Sequence, residues 1–190
     1  MPFLLNMRQL LLLRHAKSAW DDPDLPDHAR PLNERGRLAA RSMAAEMTRL
    51  RLLPDVILVS SARRTLQTFD ALNPLEGSPI VQVLDEIYLA PWESLLALLH
   101  RVPETARSVL LIGHNPGLHE LSLNLLSPHG EPSPAQFRLR DAYPTGALTE
   151  FAIAAPWKGL TDGGGRLMQF VAPRDLPGAE GPADATEGPG

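Results

Sequence analysis

The stretch LLLLRHAKSAW, residues 10–20, passes directly from four leucines to an arginine, a histidine and a lysine. A continuous apolar run is typical of a strand that is covered on both faces in a largely parallel sheet. A strand with one solvent-exposed face alternates apolar and polar residues instead. We therefore interpret residues 10–13 as a buried strand. Arg14, His15 and Lys17 are then expected at or just beyond its carboxyl end.

Three further apolar runs of this kind indicate strands at residues 56–59, 80–84 and 109–112. Segments with helical periodicity lie between the runs. One apolar stripe with spacings of three and four residues consists of Ala40, Met43, Met47 and Leu50. Further helices are predicted at residues 62–72, 92–101 and 117–127. In the last of these we expect Asn115 as the cap and Pro116 as the first residue. The alternation of strand and helix predicts an α/β fold.

The last third of the chain differs in composition from the rest. Residues 127–146 are rich in proline and predict a long loop. Residues 147–153 and 166–171 predict two more strands, with TDGGG at 161–165 as the turn between them. From Pro173 the chain has the composition of a disordered Pro/Gly-rich tail. We therefore expect one domain over residues 1–172 and a tail over residues 173–190.

Composition excludes several classes of function. The chain has 190 residues and a net charge of -4, which argues against a nucleic-acid-binding surface. It contains no cysteine, which excludes a disulfide, a thiolate nucleophile and a cysteine metal site. Its apolar runs are too short for a membrane helix, and Arg14 and His15 end the first run before any signal-peptide cleavage site. We expect a cytoplasmic monomer, and either Met1 or Met7 as the start.

Polar clusters follow all four strands of the predicted parallel sheet. They are the Arg14–His15 pair, SSARRTLQT at 60–68, Asp85 with Glu86, and GHNPG at 113–117. In an open parallel sheet the ligand crevice lies beyond the carboxyl ends of the strands, so these clusters should meet at one edge. Several cations gathered in a chain of negative net charge predict an anionic ligand, and the planar fork of arginine suits phosphate oxygens.

Other chemistries fit the residues less well. His114 and His119 are five residues apart and point to different sides of a helix, so we expect no metal site and no other cofactor. There is no G-x-S-x-G motif of a serine hydrolase. The remaining histidines are interpreted as structural or solvated, and they are His28, His100, His119 and His129. Arg63 is interpreted as part of a solvated helix face.

Four motifs together resemble one known family. RHAKSAW at 14–20, PLNERGRLAA at 31–40, SSARRTLQT at 60–68 and GHNPGLHEL at 113–121 resemble, in that order, the phosphoglycerate mutase-like histidine phosphatase superfamily. Within it they resemble the short SixA-like phosphohistidine phosphatase branch. The resemblance covers about residues 9–172. It implies a three-layer α/β/α sandwich with a largely parallel central sheet.

The resemblance also implies roles for particular residues. His15 would be the nucleophile and would form a transient phosphohistidine, while Arg14, Arg64 and His114 would hold the phosphoryl group. Arg64 matches the family's RTLQT-type pattern, and its neighbour Arg63 cannot also point inward because adjacent helical positions diverge by about 100°. Lys17, Ser18 and Asn115 are the further candidates for substrate binding.

The chemistry of these residue types leads to the same expectation. His15 must attack as neutral imidazole, and neighbouring arginines should lower its pKa below the ordinary value of about 6.5. A hydrogen bond from one ring nitrogen to a backbone carbonyl would fix which nitrogen attacks. His114 could donate to the phosphoryl group or remain a neutral positioning group. At position 16 the family most often has glycine, whereas this chain has alanine.

The proton donor and the substrate stay open at this point. Glu86 resembles the acidic position of the wider superfamily, but it reads equally well as a surface glutamate. An alkoxide leaving group needs a proton donor, whereas the imidazole that leaves a phosphohistidine is a better leaving group. The main hypothesis is therefore a phosphatase acting on phosphohistidine in a protein, such as a phosphotransfer domain. The alternatives are a phosphatase of a small phosphate ester and a phosphoprotein-binding module without turnover.

Overall fold

The predicted strands assemble into one mixed sheet in a computed structural model, which describes residues 7–128 and 131–177. Across this part of the chain the sheet has six strands in the order β3-β2-β4-β1-β5-β6. Their bounds are β1 Arg8–Arg14, β2 Val56–Ser60, β3 Ile80–Leu84, β4 Ser108–Gly113, β5 Leu148–Ile153 and β6 Gly165–Val171. The first four strands in this order pair in parallel, and β5 and β6 are added antiparallel. The sheet is therefore largely parallel in its centre, as predicted.

Helices cover both faces of the sheet and form the outer layers. Their bounds are α1 Glu34–Arg49, α2 Arg63–Asp70, α3 Trp92–His100, α4 Gly117–Leu125 and α5 Pro134–Asp141. Short 3-10 turns occur at Asp27–Ala29, Asp85–Ile87, Trp157–Gly159 and Pro173–Asp175. Because successive side chains of a strand point to opposite faces, the leucines of β1 enter two cores. Leu10 and Leu12 pack with α3, α4 and α5, and Leu11 and Leu13 pack with α1. This arrangement confirms the predicted three-layer sandwich.

Two segments differ from the sequence-based expectation. The strand at residues 80–84 forms, but it is an edge strand whose large side chains are exposed: Ile80 by 60%, Val81 by 40% and Val83 by 54%. Its interpretation as a strand buried on both faces was wrong: among the described strands it pairs with β2 alone, and these side chains are open to solvent. Part of the predicted loop at 127–146 is the helix α5. The side chains of Ser133 and Gln136 cap its first turn reciprocally.

The start of α4 and the end of the packed chain also differ from expectation. Asn115 does not cap α4, because its amide group donates a hydrogen bond to the Tyr143 carbonyl, and the helix begins at Gly117. Beyond residue 172 the chain continues in the 3-10 turn Pro173–Asp175, and Leu176 packs against the core that contains Leu11. The expected tail lies outside the described residues from 178 onward.

No helix in the described ranges is long and apolar enough to cross a membrane. The location of the protein in the cell and its oligomeric state stay predictions.

A close backbone approach fixes the loop that follows β1 against the start of α1. Asn33 caps the helix by accepting a hydrogen bond of 2.7 Å from the Gly36 amide. A Cβ atom added at Gly36 would lie 2.0 Å from the carbonyl oxygen of Lys17. Only a residue without a side chain therefore lets α1 approach the segment that carries His15.

We predict that Gly36→Ala lowers the free energy of unfolding by about 1–3 kcal/mol, the usual cost of overpacking. In an open helix the same change would be stabilising, because alanine has the higher helix propensity. Urea unfolding measures the difference. Gly159→Ala is the matched control, because its Cβ would lie 3.7 Å from its nearest neighbour. A Gly36→Ala variant as stable as the control would contradict the proposed close approach.

Candidate active site

The register of two central strands brings the two candidate histidines together. In the parallel pair β1 and β4, Arg14 lies opposite Gly113, so the next residues, His15 and His114, leave the sheet side by side. The His15 amide donates a hydrogen bond of 3.1 Å to the Gly113 carbonyl. The centroids of the two imidazole rings are 5.1 Å apart. Residues 99 positions apart in sequence thus form one site.

His15 is held as a neutral imidazole, and one of its ring nitrogens has no hydrogen-bond partner within the described residues. Its Nδ1 lies 2.8 Å from the carbonyl oxygen of Ala16, and this nitrogen must carry the proton because a carbonyl only accepts. The lone pair of Nε2 is thereby left available. The pKa of His15 is lowered to about 3, mainly by burial and further by the charges of Arg64 and Arg14. The predicted direction is confirmed, but burial contributes more than the arginines.

Ala16 fits the loop without strain. It is fully buried, and it is not among the residues of the described chain with positive φ. Its amide donates a hydrogen bond of 3.0 Å to the Thr68 hydroxyl of α2. The alanine at the family's common glycine position is therefore compatible with the backbone here.

Arg14 and Arg64 bring two guanidinium groups to the site. Arg14 Nη1 donates to the Tyr143 carbonyl at 2.9 Å, and its buried Nε has no hydrogen-bond partner in the described chain. Burial lowers the pKa of Arg14. Arg64 is buried at the start of α2, while Arg63 is exposed. The expectation that Arg64 points into the protein and Arg63 towards solvent is confirmed.

His114 is neutral and is oriented by hydrogen bonds to both ring nitrogens. Arg64 Nη2 donates to Nδ1 at 3.3 Å, so Nε2 carries the proton and donates to the Ser60 hydroxyl at 2.7 Å. The pKa of His114 is lowered to about 2 by burial, by His15 and by Arg64. His114 thus faces Arg64 with an acceptor nitrogen.

These side chains line a cavity of about 900 Å³. The other candidate binding residues, Lys17, Ser18 and Asn115, also line it. Trp20 lines it too, with 62% of its surface exposed, and the Arg30 guanidinium lies 4.3 Å from the centre of its ring. The cavity can accept a group much larger than a single phosphoryl group.

Glu86 does not belong to this site. It lies in the 3-10 turn after β3, where its half-exposed carboxylate forms an ion pair with Arg101. It is not among the residues that line the cavity. The expectation that Glu86 lies at the site as a proton donor was therefore wrong. The alternative interpretation, that Glu86 is a surface glutamate, agrees with its ion pair with Arg101.

Three residues that contact the site were not predicted as site residues: Ser60, Asp27 and Tyr88. Asp27 accepts hydrogen bonds from Arg64 and from Tyr88, and Ser60 accepts from His114. Burial alone would raise the pKa of Asp27, but the hydrogen bonds from Tyr88 and Arg64 lower it below the ordinary value. Ser60 belongs to the SSARRTLQT motif and could have been found. Asp27 and Tyr88 carry no motif signal.

The histidines interpreted as structural make local contacts. His28 lies 3.0 Å from the Ser61 hydroxyl, His100 donates to the Leu160 carbonyl, and His119 donates to the Leu139 carbonyl. His129 lies outside the described residues. Within residues 7–128 and 131–177, no three histidine or acidic side chains come together as a metal site.

The arrangement combines a neutral nucleophile with fixed positive charge. Nε2 of His15 has no hydrogen-bond partner within the described residues, and the buried guanidinium of Arg64 and the half-buried guanidinium of Arg14 line the same cavity. In a buried site such charges interact with an anion more strongly than in water. The site can therefore bind a tetrahedral oxyanion and present an unprotonated nitrogen to it.

Comparisons with known proteins agree with this geometry. Rv1276c, an uncharacterized protein of Mycobacterium tuberculosis, is 29% identical over 163 residues, which are 85% of this chain and 100% of that protein. A candidate phosphohistidine phosphatase SixA from Nakamurella multipartitia has a structure with a TM-score of 0.78 and 28% identity, covering 88% of this chain and 96% of that one. A candidate SixA from Agrobacterium tumefaciens has a TM-score of 0.72 and 29% identity, covering 87% and 97%.

A family model matches residues 10–123, which contain all four motifs completely and include both histidines of the site. It describes branch 1 of the histidine phosphatase superfamily. The sheet order, the paired histidines and this match lead to one conclusion: the chain belongs to the histidine phosphatase superfamily.

Proposed function

We propose that this protein is a phosphatase that removes the phosphoryl group from phosphohistidine in a protein, through a phosphorylated His15. Membership of the superfamily supports a phosphatase activity. The observation that carries the finer proposal is the state of His15: a buried neutral imidazole with Nδ1–H bound to the Ala16 carbonyl and Nε2 free beside two guanidinium groups. The SixA-type relatives from Nakamurella and Agrobacterium support the same substrate class.

The proposed reaction has two displacements at phosphorus. In the first, His15 Nε2 forms a bond to phosphorus while the bond from phosphorus to the substrate imidazole breaks, and the leaving imidazole takes a proton from solvent. In the second, a water oxygen attacks phosphorus, the bond to His15 Nε2 breaks, and a proton of the water passes to solvent as phosphate forms. Arg14 and Arg64 offset the charge that the phosphoryl oxygens carry in both steps.

Neither Glu86 nor Asp27 is suited to give a proton to a leaving group, and this favours a substrate whose leaving group needs no such donor. Glu86 is paired with Arg101 away from the cavity, and the lowered pKa of Asp27 makes it a poor proton donor. An alkoxide leaving from a phosphate ester requires such a donor, whereas an imidazole can be protonated by solvent. Phosphohistidine therefore suits this site better than a phosphate ester.

We predict that His15→Ala abolishes a phosphoenzyme intermediate. In a rapid quench with labelled phosphohistidine protein, the wild type should carry acid-labile label, because the phosphoramidate bond hydrolyses in acid. His100→Gln is the control and should keep the label, since His100 bonds the Leu160 carbonyl and does not line the cavity. Label that persists on His15→Ala would show that another residue is the nucleophile.

We predict that Glu86→Gln changes turnover of phosphohistidine protein by no more than about threefold, because its only described ion pair is with the exposed Arg101. Steady-state kinetics on phosphohistidine protein, a sugar phosphate and a nucleotide measure the effect and also separate the candidate substrates. A severe loss on every substrate would mean that Glu86 does act in the reaction. Preference for an ester in the wild type would favour the small-molecule alternative.

We predict that the free energy of unfolding falls as the pH is lowered from about 6.5 towards 3. The unfolded chain protonates both histidines near pH 6.5, whereas the native pKa values of His15 and His114 are about 3 and about 2. The unfolded state then binds more protons in this window, so stability is lost as the pH falls through it. At pH 5 each histidine should cost about 2 kcal/mol.

Urea unfolding at two pH values, about 7.5 and about 5, measures this loss. His15→Asn should lose clearly less stability between the two pH values than the wild type, because one of the two shifted groups is gone. An equal loss in the variant would contradict a depressed pKa at His15.

A further inference from the structure

We propose that Asp27 and Tyr88 are positioning residues that hold Arg64 and His114 in the geometry needed to bind the phosphoryl group. This inference rests on the proposed function, because Arg64 is one of the two arginines proposed to offset the phosphoryl charge, and His114 lies in hydrogen-bond contact with it. It assigns a role to a loop residue and a tyrosine that belong to no catalytic motif of the chain. The basis is a closed ring of contacts around the two functional side chains.

Asp27 holds the guanidinium group of Arg64 at both terminal nitrogens. Its backbone carbonyl accepts from Nη1 at 2.7 Å, and its carboxylate accepts from Nη2 at 3.0 Å. Two such contacts fix the plane of a guanidinium, which a single contact would leave free to rotate. Nη2 is thereby also directed at Nδ1 of His114, 3.3 Å away.

Tyr88 closes the ring on its other side. Its hydroxyl donates to the Asp27 carboxylate at 2.6 Å. Its aromatic ring stands edge-on to His114, with centroids 5.4 Å apart and planes at 89°. The contacts therefore run from His114 to Arg64, to Asp27, to Tyr88 and back to His114. The four residues come from different segments of the chain, so the ring of contacts joins these segments at the site.

Asp27 also supplies the negative charge that the site requires. Arg14 and Arg64 are both drawn out of water, and a buried cation without a counter-ion is costly. Within residues 7–128 and 131–177, the Asp27 carboxylate is the only one within ion-pair distance of either arginine. Without its carboxylate, Arg64 would keep the bond to the backbone carbonyl and lose the contact that orients Nη2.

A misplacement of about 1 Å in a positioned group can cost on the order of a hundredfold in rate. We therefore expect Asp27→Asn to lower kcat/KM for phosphohistidine protein by at least about tenfold, and to weaken binding of inorganic phosphate. Tyr88→Phe keeps the ring against His114 and removes only the hydroxyl, so its loss should be smaller, about threefold.

A double-mutant cycle with Arg64→Ala tests whether Asp27 acts through Arg64. In the Arg64→Ala background, Asp27→Asn and Tyr88→Phe should each change kcat/KM by less than about twofold, because there is no guanidinium left to orient. A proton donor would behave differently, since its loss would lower the rate in both backgrounds. Asp24→Asn is the control, an exposed carboxylate in the same loop that should behave as the wild type.

Calorimetric titration with inorganic phosphate gives a second readout that needs no turnover. The same cycle in Kd for phosphate should show the same coupling. If the wild type binds phosphate but does not hydrolyse phosphohistidine, the proposed function fails while the phosphate cycle still decides the role of Asp27. Thermal unfolding verifies that each variant is folded. If Asp27→Asn does not fold, the cycle can still be measured with Tyr88→Phe. Equal losses in both backgrounds, or no loss for Asp27→Asn, would overturn the inference.

Discussion

The site depends on the register of the parallel pair β1 and β4. Arg14 lies opposite Gly113, and this single correspondence sets His15 beside His114. The register is fixed by the core, because residues 10–13 are fully buried on both faces and a slip of one residue would exchange their two faces. Hydrophobic packing of four leucines therefore determines the geometry of a polar site that begins at the next residue.

Burial then determines the chemistry of that site. It keeps both imidazoles neutral, which gives His15 a free lone pair, and it makes the charges of Arg14 and Arg64 effective towards an anion. The same burial makes an uncompensated guanidinium costly, and Asp27 supplies the compensation. A chain of net charge -4 can in this way hold a locally cationic pocket.

The sequence predicts the residues whose positions follow from a strand end, and it fails where position depends on contacts between loops. His15 and His114 directly follow buried strands, and Arg64 is the second residue of α2, which begins shortly after the buried strand β2 ends. Glu86 also follows a strand, but that strand lies at the edge of the sheet, and the turn after it directs the side chain to Arg101. Asp27 reaches the site only through tertiary contacts, which no local pattern encodes. The helix α5 could have been found, because Ser133 and Gln136 have the spacing of a capping box.

The central claim is that His15 is a neutral imidazole protonated on Nδ1, with Nε2 free to attack phosphorus. Long-range nitrogen–proton correlation NMR on the folded protein, labelled with ¹⁵N in histidine, reports the tautomer and the pKa of this ring directly. The account predicts the Nδ1–H tautomer, with no protonation of Nε2 between about pH 8 and about pH 5. A proton on Nε2, or a His15 titration near the ordinary pKa of about 6.5, would contradict it.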